Sequence, residues 1–354
     1  MKQIYGMSKQ GNLAEALQKV RTPQFLFLMS TADKLEAHVK ELYERYPDVP
    51  QIGCVGTGYG NRQWAENGVS VVSFEDGVEA VANVLEQADE CPVRYIKRLE
   101  DDMRRIGADA KNTVCIDICT GNDAVVVTTL HAALEERGIS LIGGTGDAAV
   151  TACNGRVYRN ASAYALIRNR NGRVKVYKEN IYKSMAGSRE MLVTAVEPKN
   201  YGLLELDGHP AQTVYQNLLG IPEEDIVSQT IRNPLGYVSG DDIYIISIKE
   251  TSRGKGLICF KRTSESDVLS LLELDDYREV VQNTVAAIQQ DFSKVSGVFA
   301  INCTFRYLFF KEQHYWQEYL DAMEKTGNFM GVVGFGEHFE KHHVNQTMCC
   351  AVFE

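Results

Sequence analysis

The chain has 354 residues, of which 44% are hydrophobic and 24% charged, as in ordinary soluble globular proteins. This length favours two domains over a single hydrophobic core. The formal net charge of −10 argues against a nucleic-acid partner, because phosphate binding needs clustered lysine and arginine. Nine cysteines without C-x-x-C spacing indicate reduced cytoplasmic thiols rather than a disulfide framework or a structural zinc site.

No stretch of the sequence is typical of a targeting segment or a membrane span. Met1-Lys2-Gln3 leads into a polar amphipathic stretch rather than an apolar signal region. The apolar run at 25–29 is far too short to cross a bilayer and is typical of a buried strand. We therefore expect a cytoplasmic protein with no membrane partner.

The first half of the chain mixes strand and helix patterns. A meander is predicted over 155–180, where Asn171-Gly172 has the composition of a tight hairpin turn. Strands are predicted at 24–30, 51–55, 69–74, 114–119 and 140–142, and helices at 12–20 (with Asn12 as its cap), 31–46, 77–88, 97–107 and 123–137.

A domain boundary is expected near residues 183–189, which divides the chain into domains 1–186 and 187–354. Beyond it, consecutive strands separated by tight turns predict an α/β (α+β) protein, with mixed, partly antiparallel sheets flanked by helices in both domains. Strands are predicted at 191–197, 201–206, 243–249, 256–261, 296–303, 329–335 and 344–353, and helices at 210–219, 266–273, 276–292 and 308–325.

The sequence 144–149 matches a G-x-G-x-x-A dinucleotide fingerprint after a predicted strand. That fingerprint needs a following helix, whose N-terminus holds the pyrophosphate. The residues that follow are too few and too β-branched for such a helix, and no acidic residue lies about twenty positions further on. A tight turn into a hairpin is the favoured interpretation.

The predicted strand at 114–119 places two thiols and the Asp117 carboxylate on one face, and only apolar side chains on the other. A structural role is favoured for the cysteines, although Cys119 at the strand end is a conceivable nucleophile. Asp117 is more informative, because a carboxylate is rarely buried without a partner.

His338, His342 and His343 form an H-x₃-H-H cluster, whose first and second members would share a helical face as metal ligands often do. A surface location is favoured for these two, because the sequence between them is typical of a polar loop, and no metal site is predicted. If 344–353 is a strand that His343 begins, alternation places His343, Asn345 and Thr347 on one face. No G-x-S-x-G or H-E-x-x-H motif occurs, and no catalytic residue is predicted.

Several short motifs, in order from about residue 24 to 353, resemble those of the FIST family of sensory proteins. They are Gly53-Cys54 and Gly143-Gly144, then Glu205-Leu206-Asp207-Gly208-His209-Pro210-Ala211, Asn302-Cys303-Thr304-Phe305-Arg306, Gly334-Phe335-Gly336-Glu337 and His343-x-Asn345-Gln346-Thr347. The resemblance implies a FIST N-like and a FIST C-like domain, and a small-molecule sensor of signal transduction rather than an enzyme. It also implies an amino acid or a derivative as the ligand. A separate signalling protein is the expected partner, because no segment is left for an output domain.

The resemblance also implies where the ligand binds. Arg306 and Glu337 match charged positions of the family, and an arginine fork is a good anchor for a carboxylate. An ion pair between these two residues is an equally favoured interpretation. The predicted ligand-binding residues are Arg306, Glu337, His343, Asn345, Thr347 and Asp117, of which the first four are expected to converge on one cavity with Thr347 at its wall.

Two other functions remain open, while the preferred interpretation needs no cofactor. Some FIST-like proteins look like haem-based nitric-oxide sensors, and His343, His209 and Cys303 are the candidate axial ligands here. The other is a cysteine-dependent enzyme that uses Cys119 or Cys303.

Overall fold

A computed structural model describes residues 1–87, 90–121, 123–240 and 242–354. Its strands are β1 (Lys2–Ser8), β2 (Pro23–Ser30), β3 (Gln51–Val55), β4 (Thr57–Gly60), β5 (Gln63–Ala65), β6 (Val69–Glu75), β7 (Val78–Glu86), β8 (Thr113–Cys119), β9 (Ser140–Thr145), β10 (Asp147–Cys153), β11 (Arg156–Tyr158), β12 (Ala161–Asn169), β13 (Val174–Asn180), β14 (Tyr182–Ser184), β15 (Met191–Glu197), β16 (Gly202–Leu206), β17 (His209–Pro210), β18 (Leu235–Ser239), β19 (Asp242–Ile246), β20 (Ile248–Thr251), β21 (Leu257–Cys259), β22 (Val268–Leu274), β23 (Gly297–Cys303), β24 (Phe329–Phe339), β25 (His342–Val344) and β26 (Thr347–Phe353).

The helices are distributed along both halves of the chain. They are α1 (Leu13–Ala16), α2 (Leu35–Arg45), α3 (Ile96–Arg105), α4 (Asp123–Glu135), α5 (Ala211–Leu219), α6 (Ile226–Gln229), α7 (Tyr277–Asp291), α8 (Thr304–Glu312) and α9 (Trp316–Met323). The Asn12 side chain accepts the N–H of Glu15, which confirms the predicted cap of α1. Among the described residues, none of the helices has the length and apolar character needed to cross a membrane.

The chain folds into two compact units, and each contains separated segments. Unit 1 comprises Met1–Glu179, Val281–His343 and Met348–Glu354, whereas unit 2 comprises Asn180–Val280 and Val344–Thr347. Each unit contains segments from both sides of residue 186, so the units do not correspond to the two predicted domains. The boundary expected between residues 186 and 187 divides the sequence rather than these units, and it stays a prediction.

Unit 1 contains two sheets packed face to face. The six-stranded sheet has the order β1-β6-β2-β3-β10-β11, and the main path of the eleven-stranded sheet is β13-β26-β23-β24-β9-β8-β12-β7. Phe27 and Phe74 of the first sheet pack on Phe299 of the second at ring distances of 4.9 and 6.1 Å. Aromatic rings therefore fill the layer between the sheets.

Helices cover the outer faces of both sheets in unit 1. Leu26 and Leu28 of β2 share a hydrophobic cluster with residues of α1 and α2, and Cys115 and Cys119 of β8 share another with α3 and α4. Strand alternation explains this arrangement, since neighbouring residues of β2 face opposite layers. The predicted class, mixed sheets flanked by helices, is confirmed for this unit.

Unit 2 is built on a smaller sheet with its own core, and the strand pairs of this sheet are antiparallel. Its nine-stranded sheet has the order β19-β18-β22-β15-β16-β21-β20, with β14 beside β22 and β17 beside β16. Helix α5 packs Val214 and Tyr215 into the hydrophobic cluster of this sheet. Pro210 and Gly220 flank α5 as the sequence predicts, and Gly220 has a φ of 65°.

Two helix predictions are wrong. The residues at 77–88 have apolar positions spaced three and four apart, but residues 78–86 form β7, which pairs with all nine residues of β12. Those at 266–273 likewise contribute most of β22, which pairs with β14, β15 and β18. In both places long-range strand pairing outweighs the local helical pattern.

One hairpin prediction is wrong and another is confirmed. The Asn171-Gly172 turn follows β12, but the next strand, β13, pairs with β26 instead of returning along β12. After β9 the chain makes the predicted turn into a hairpin, since β10 pairs antiparallel with β11 and lies beside β3 in the other sheet of unit 1. No helix follows residues 144–149, as predicted, so this stretch lacks the helix that the dinucleotide fingerprint needs.

The closing strand is interrupted, so the predicted common face is wrong. The chain leaves β25 at Val344 and resumes in β26 at Thr347, and Gln346 between them has a φ of 56°. Because Asn345 and Gln346 lie outside both strands, alternation cannot be carried from His343 to Thr347.

We predict that the two sequence halves depend on each other. In unit 1, strands β23, β24 and β26 of the second half lie between β13 and β9 of the first half. Fragments 1–186 and 187–354, cut in the segment after β14, should therefore aggregate when made alone and copurify when coexpressed. Size-exclusion chromatography and circular dichroism would check this. Fragments that are each folded and do not bind each other would contradict it.

Candidate functional site

Polar side chains converge at one end of the eleven-stranded sheet. Cys119 and Thr145 are opposite residues at the ends of the parallel strands β8 and β9. Asp123 begins α4 directly after β8, and His338 comes from β24 on the far side of β9. Together with Asp117 of β8 they form a group that we call the Asp117–His338 cluster (Asp117, Cys119, Asp123, Thr145 and His338). The cluster lies at the carboxyl ends of two parallel strands, where α/β proteins commonly place functional groups.

A glycine lets Asp117 and His338 meet across the strand that separates them. Asp117 lies opposite Gly143, and Gly143 lies opposite His338, so the three positions form a row across β8, β9 and β24. A Cβ atom at Gly143 would lie 1.8 Å from Asp117 Oδ1. Without one, His338 Nδ1 reaches Asp117 Oδ1 at 2.8 Å.

His338 is fully buried between two carboxylates, so its prediction as a surface residue is wrong. Its Nε2 lies 3.0 Å from Asp123 Oδ1, and both ring nitrogens thus face carboxylate oxygens and must carry hydrogen. Burial alone would lower the pKa of His338, but the Asp117 carboxylate and the hydrogen bonds to both aspartates raise it well above its ordinary value. These contacts therefore favour the charged imidazolium form of the ring.

Cys119 and Asp123 complete the Asp117–His338 cluster. The Cys119 thiol lies 3.2 Å from Asp123 Oδ1 and 3.9 Å from His338 Nε2, and the Thr145 hydroxyl also donates to Asp123. Burial would raise the pKa of Asp123, but the charge of His343 and the bond from His338 lower it below its ordinary value. Burial and then the Asp123 carboxylate raise the pKa of Cys119 to about 11.

A cavity of about 300 Å³ lies within unit 1, beyond the ends of two parallel strand pairs. Ser30 and Val55, the last residues of β2 and β3, line it together with Thr304, which follows β23. Val333 and Phe335 of β24 complete this side of the cavity. Crevices at the carboxyl ends of parallel strands are the usual ligand sites of α/β sheets.

Acidic groups and a helix start give this cavity a polar character. Glu66 and Asp147 line the cavity. The Glu66 carboxylate accepts hydrogen bonds from Lys311 and Tyr307, and these bonds lower the pKa of Glu66. Thr304 is the first residue of α8, and the Cys303 side chain makes no capping bond to that helix. The positive end of the α8 dipole therefore lies at the cavity wall, opposite in sign to the carboxylates.

Comparison with protein families identifies the chain. A model of the FIST N domain matches residues 24–209, and one of the FIST C domain matches residues 211–340. The chain belongs to the FIST family. FIST domains are associated with sensing in signal transduction. A search of curated proteins gave no match.

Arg306 has a counter-ion that the sequence analysis of this FIST protein missed. Its guanidinium is fully buried and donates to Glu179, which is also fully buried and comes from β13. It also lies over the rings of Phe310 and Tyr319, at 4.7 and 5.3 Å from their centres. Sequence alone gave no sign of Glu179, because its strand was expected to pair as a local hairpin.

Glu337 is fully buried in β24, next to His338. His343 is partly exposed in β25, and its ring packs edge-on against that of His338 at 6.0 Å. Asp117, the predicted residue of the first half, bonds both His338 and Ser162. The expectation that a buried Asp117 needs a partner is thus confirmed, and the structure brings two predicted residues, Asp117 and His343, to the same histidine.

The other predicted residues lie elsewhere in the fold. In unit 2, Asn345 is buried, and its Nδ2 lies 3.5 Å from the carbonyl oxygen of Ile245. Thr347 is fully buried in the same unit, and His209 is exposed on β17. Cys303 is buried at the end of β23 in unit 1. None of the predicted ligand-binding residues lines the 300 Å³ cavity among its described residues. Their shared cavity stays a prediction.

We predict strong coupling between Arg306 and Glu179. Replacing either residue alone leaves a buried charge without its partner, which costs about 3–5 kcal/mol. Urea unfolding of Arg306→Met, Glu179→Leu and the double variant should show that the double loses less stability than the two single losses together. Additive losses would contradict a direct ion pair.

Proposed function

We propose that this FIST protein is a small-molecule sensor whose ligand binds in the 300 Å³ cavity of unit 1. The position of the cavity carries the proposal, since it lies beyond the carboxyl ends of β2 and β3 and of β23. A ligand there would contact segments from both halves of the sequence. The family's association with sensing supports the same role.

The charges of the cavity favour a zwitterionic ligand such as an amino acid or a derivative. A ligand carboxylate would lie at the start of α8, where the helix dipole favours negative charge. A ligand ammonium group would lie toward Asp147 and Glu66. The cavity volume lies at the lower end of the range for small-molecule sites, which suits a ligand of this size.

Backbone strain beside the cavity supports a binding role. Ala148 and Ala149 follow the lining residue Asp147, and both have positive φ values, 57° and 49°. The register of β10 against β3 shifts between Asp147 and Thr151. Two consecutive alanines in this region are costly, and such strain clusters at ligand sites and switch regions. We propose that this segment responds to the ligand and that a separate signalling protein reads the response.

We predict that Asp147→Asn weakens binding of an amino acid by about ten- to a hundredfold, because a hydrogen bond to a charged group contributes about 1.5–3 kcal/mol. A panel of L-amino acids screened by thermal shift, followed by calorimetry on the hits, would measure this. Mass spectrometry of small molecules retained through native purification would extend the screen to derivatives.

The matched control is Asp76→Asn, which removes the same charge from an exposed position outside the cavity. It should leave the affinity unchanged. The proposal fails if no member of the panel binds and no small molecule is retained, or if the two variants bind equally well.

A cysteine-dependent enzyme has less support. Cys119, His338 and Asp117 are arranged in the order of a nucleophile, a base and the acid that orients the base. However, the Asp123 carboxylate contacts both the thiol and the imidazole. A thiol whose pKa is about 11 carries almost no thiolate at neutral pH. We therefore propose a binding protein rather than an enzyme.

We predict that Cys91 reacts first with iodoacetamide near neutral pH, because it is exposed whereas the other eight cysteines are buried. Peptide mapping by mass spectrometry would rank the thiols, and Cys91→Ser should abolish the fast phase. Faster labelling of Cys119 or Cys303 would instead favour the enzyme.

The haem alternative also has less support from the candidate ligands. His209 is exposed on a two-residue strand of unit 2, whereas Cys303 is buried in unit 1. The described residues that line the 300 Å³ cavity include no histidine, cysteine or methionine to serve as an axial ligand. We therefore propose that sensing here needs no haem.

A further inference from the structure

We propose that Cys119, Asp123 and His338 bind a divalent transition metal ion of the zinc type. One donor atom from each residue lies within 4.8 Å of the other two. The set combines a thiol, an imidazole and a carboxylate, which are the three ligand classes that zinc takes in proteins.

The spacing of the donors fits one small ion. A tetrahedral zinc ion at its usual bond lengths holds sulfur, nitrogen and oxygen donors about 3.4–3.6 Å apart. The observed separations are 3.2 Å from Cys119 Sγ to Asp123 Oδ1, 3.0 Å from His338 Nε2 to the same oxygen, and 3.9 Å from Sγ to Nε2. Shifts of a few tenths of an ångström would bring all three to the ion.

The surroundings of His338 are those of a metal ligand. Its Nδ1 is held by Asp117 at 2.8 Å, and Asp117 is itself bonded by Ser162 at 3.0 Å. This carboxylate–histidine pairing fixes the ring with Nε2 directed at the other two donors, as metal-bound histidines commonly are. Asp117 is thus a positioning residue rather than a ligand.

Charge balance also favours a cation. Two carboxylates, Asp117 and Asp123, flank the imidazole of His338 in a buried setting. On binding, the metal would replace the proton on His338 Nε2 and the proton of the Cys119 thiol, and both protons would leave to solvent. The Asp123 side chain is 14% exposed and gives a route of entry.

Three protein ligands leave one position of a tetrahedral ion open. His343 lies close by, with its ring 6.0 Å from that of His338, and either this residue or water would fill that position. The set shares no residue with the lining of the 300 Å³ cavity, so metal binding and amino-acid binding can be tested and can fail independently.

Cobalt titration of the chelator-treated full chain tests the proposal. Wild-type protein should bind one equivalent of Co²⁺ with a thiolate-to-metal charge-transfer band that Zn²⁺ abolishes. Cys119→Ser should lose the band, whereas the control Cys115→Ser should keep it. Cys115 is a buried neighbour on the same face of β8 but lies outside the ligand set. Absence of the band in wild type, its persistence in Cys119→Ser or its loss in Cys115→Ser would overturn the proposal.

Two further measurements do not depend on the folding of Cys119→Ser. Asp117→Asn should keep one-to-one binding but weaken it about 10- to 100-fold, as loss of an outer partner does. X-ray absorption of zinc-loaded wild type should show one sulfur at about 2.3 Å with nitrogen and oxygen at about 2.0–2.2 Å. Unchanged affinity in Asp117→Asn, or a zinc shell with no sulfur or with several, would overturn the assignment.

Discussion

The hydrogen bond between Asp117 and His338 depends on a third residue, Gly143, which lies between them in the sheet. The two belong to β8 and β24, and β9 runs between these strands. Only a residue without a side chain at the middle position leaves room for the bond, and that residue is Gly143. The contact in turn orients the imidazole toward Cys119 and Asp123, so one glycine governs the geometry of the whole cluster.

A bulge in β24 decides which side chain reaches Asp117. Phe335 pairs with Thr145, but Glu337, not Gly336, pairs with Gly144, because the register shifts by one residue. Gly336 has a φ of 68°, which is typical of a glycine in such a bulge. Without the extra residue, Glu337 would lie opposite Gly143 and His338 would turn to the other face of the sheet. The bulge therefore buries an imidazole, rather than a second carboxylate, beside Asp117.

Features that depend on residues close in sequence could be predicted, whereas features that depend on distant residues could not. Caps and turns near α1 and α5, the length of α4 and the apolar strand β8 rest on neighbours in sequence, and these were predicted. β7 and β22 were predicted as helices because only their distant partner strands make them strands. His338 was missed for the same reason. The position of Asp117 in an apolar strand indicated that its carboxylate needs a partner. That partner, His338, lies 221 positions away in the sequence, after a bulge that was not predicted.

Strand β24 links both candidate sites of unit 1. Its Val333 and Phe335 line the 300 Å³ cavity, and its His338 enters the Asp117–His338 cluster three residues later. The bulge at Gly336 lies between them, at the point where the strand has its least regular pairing with β9. The register of β24 is fixed before the bulge by β23 and β4 and after it by β9. The two sites therefore share one strand but not one pairing register, because the bulge separates Phe335 of the cavity from the His338 imidazole between Asp117 and Asp123.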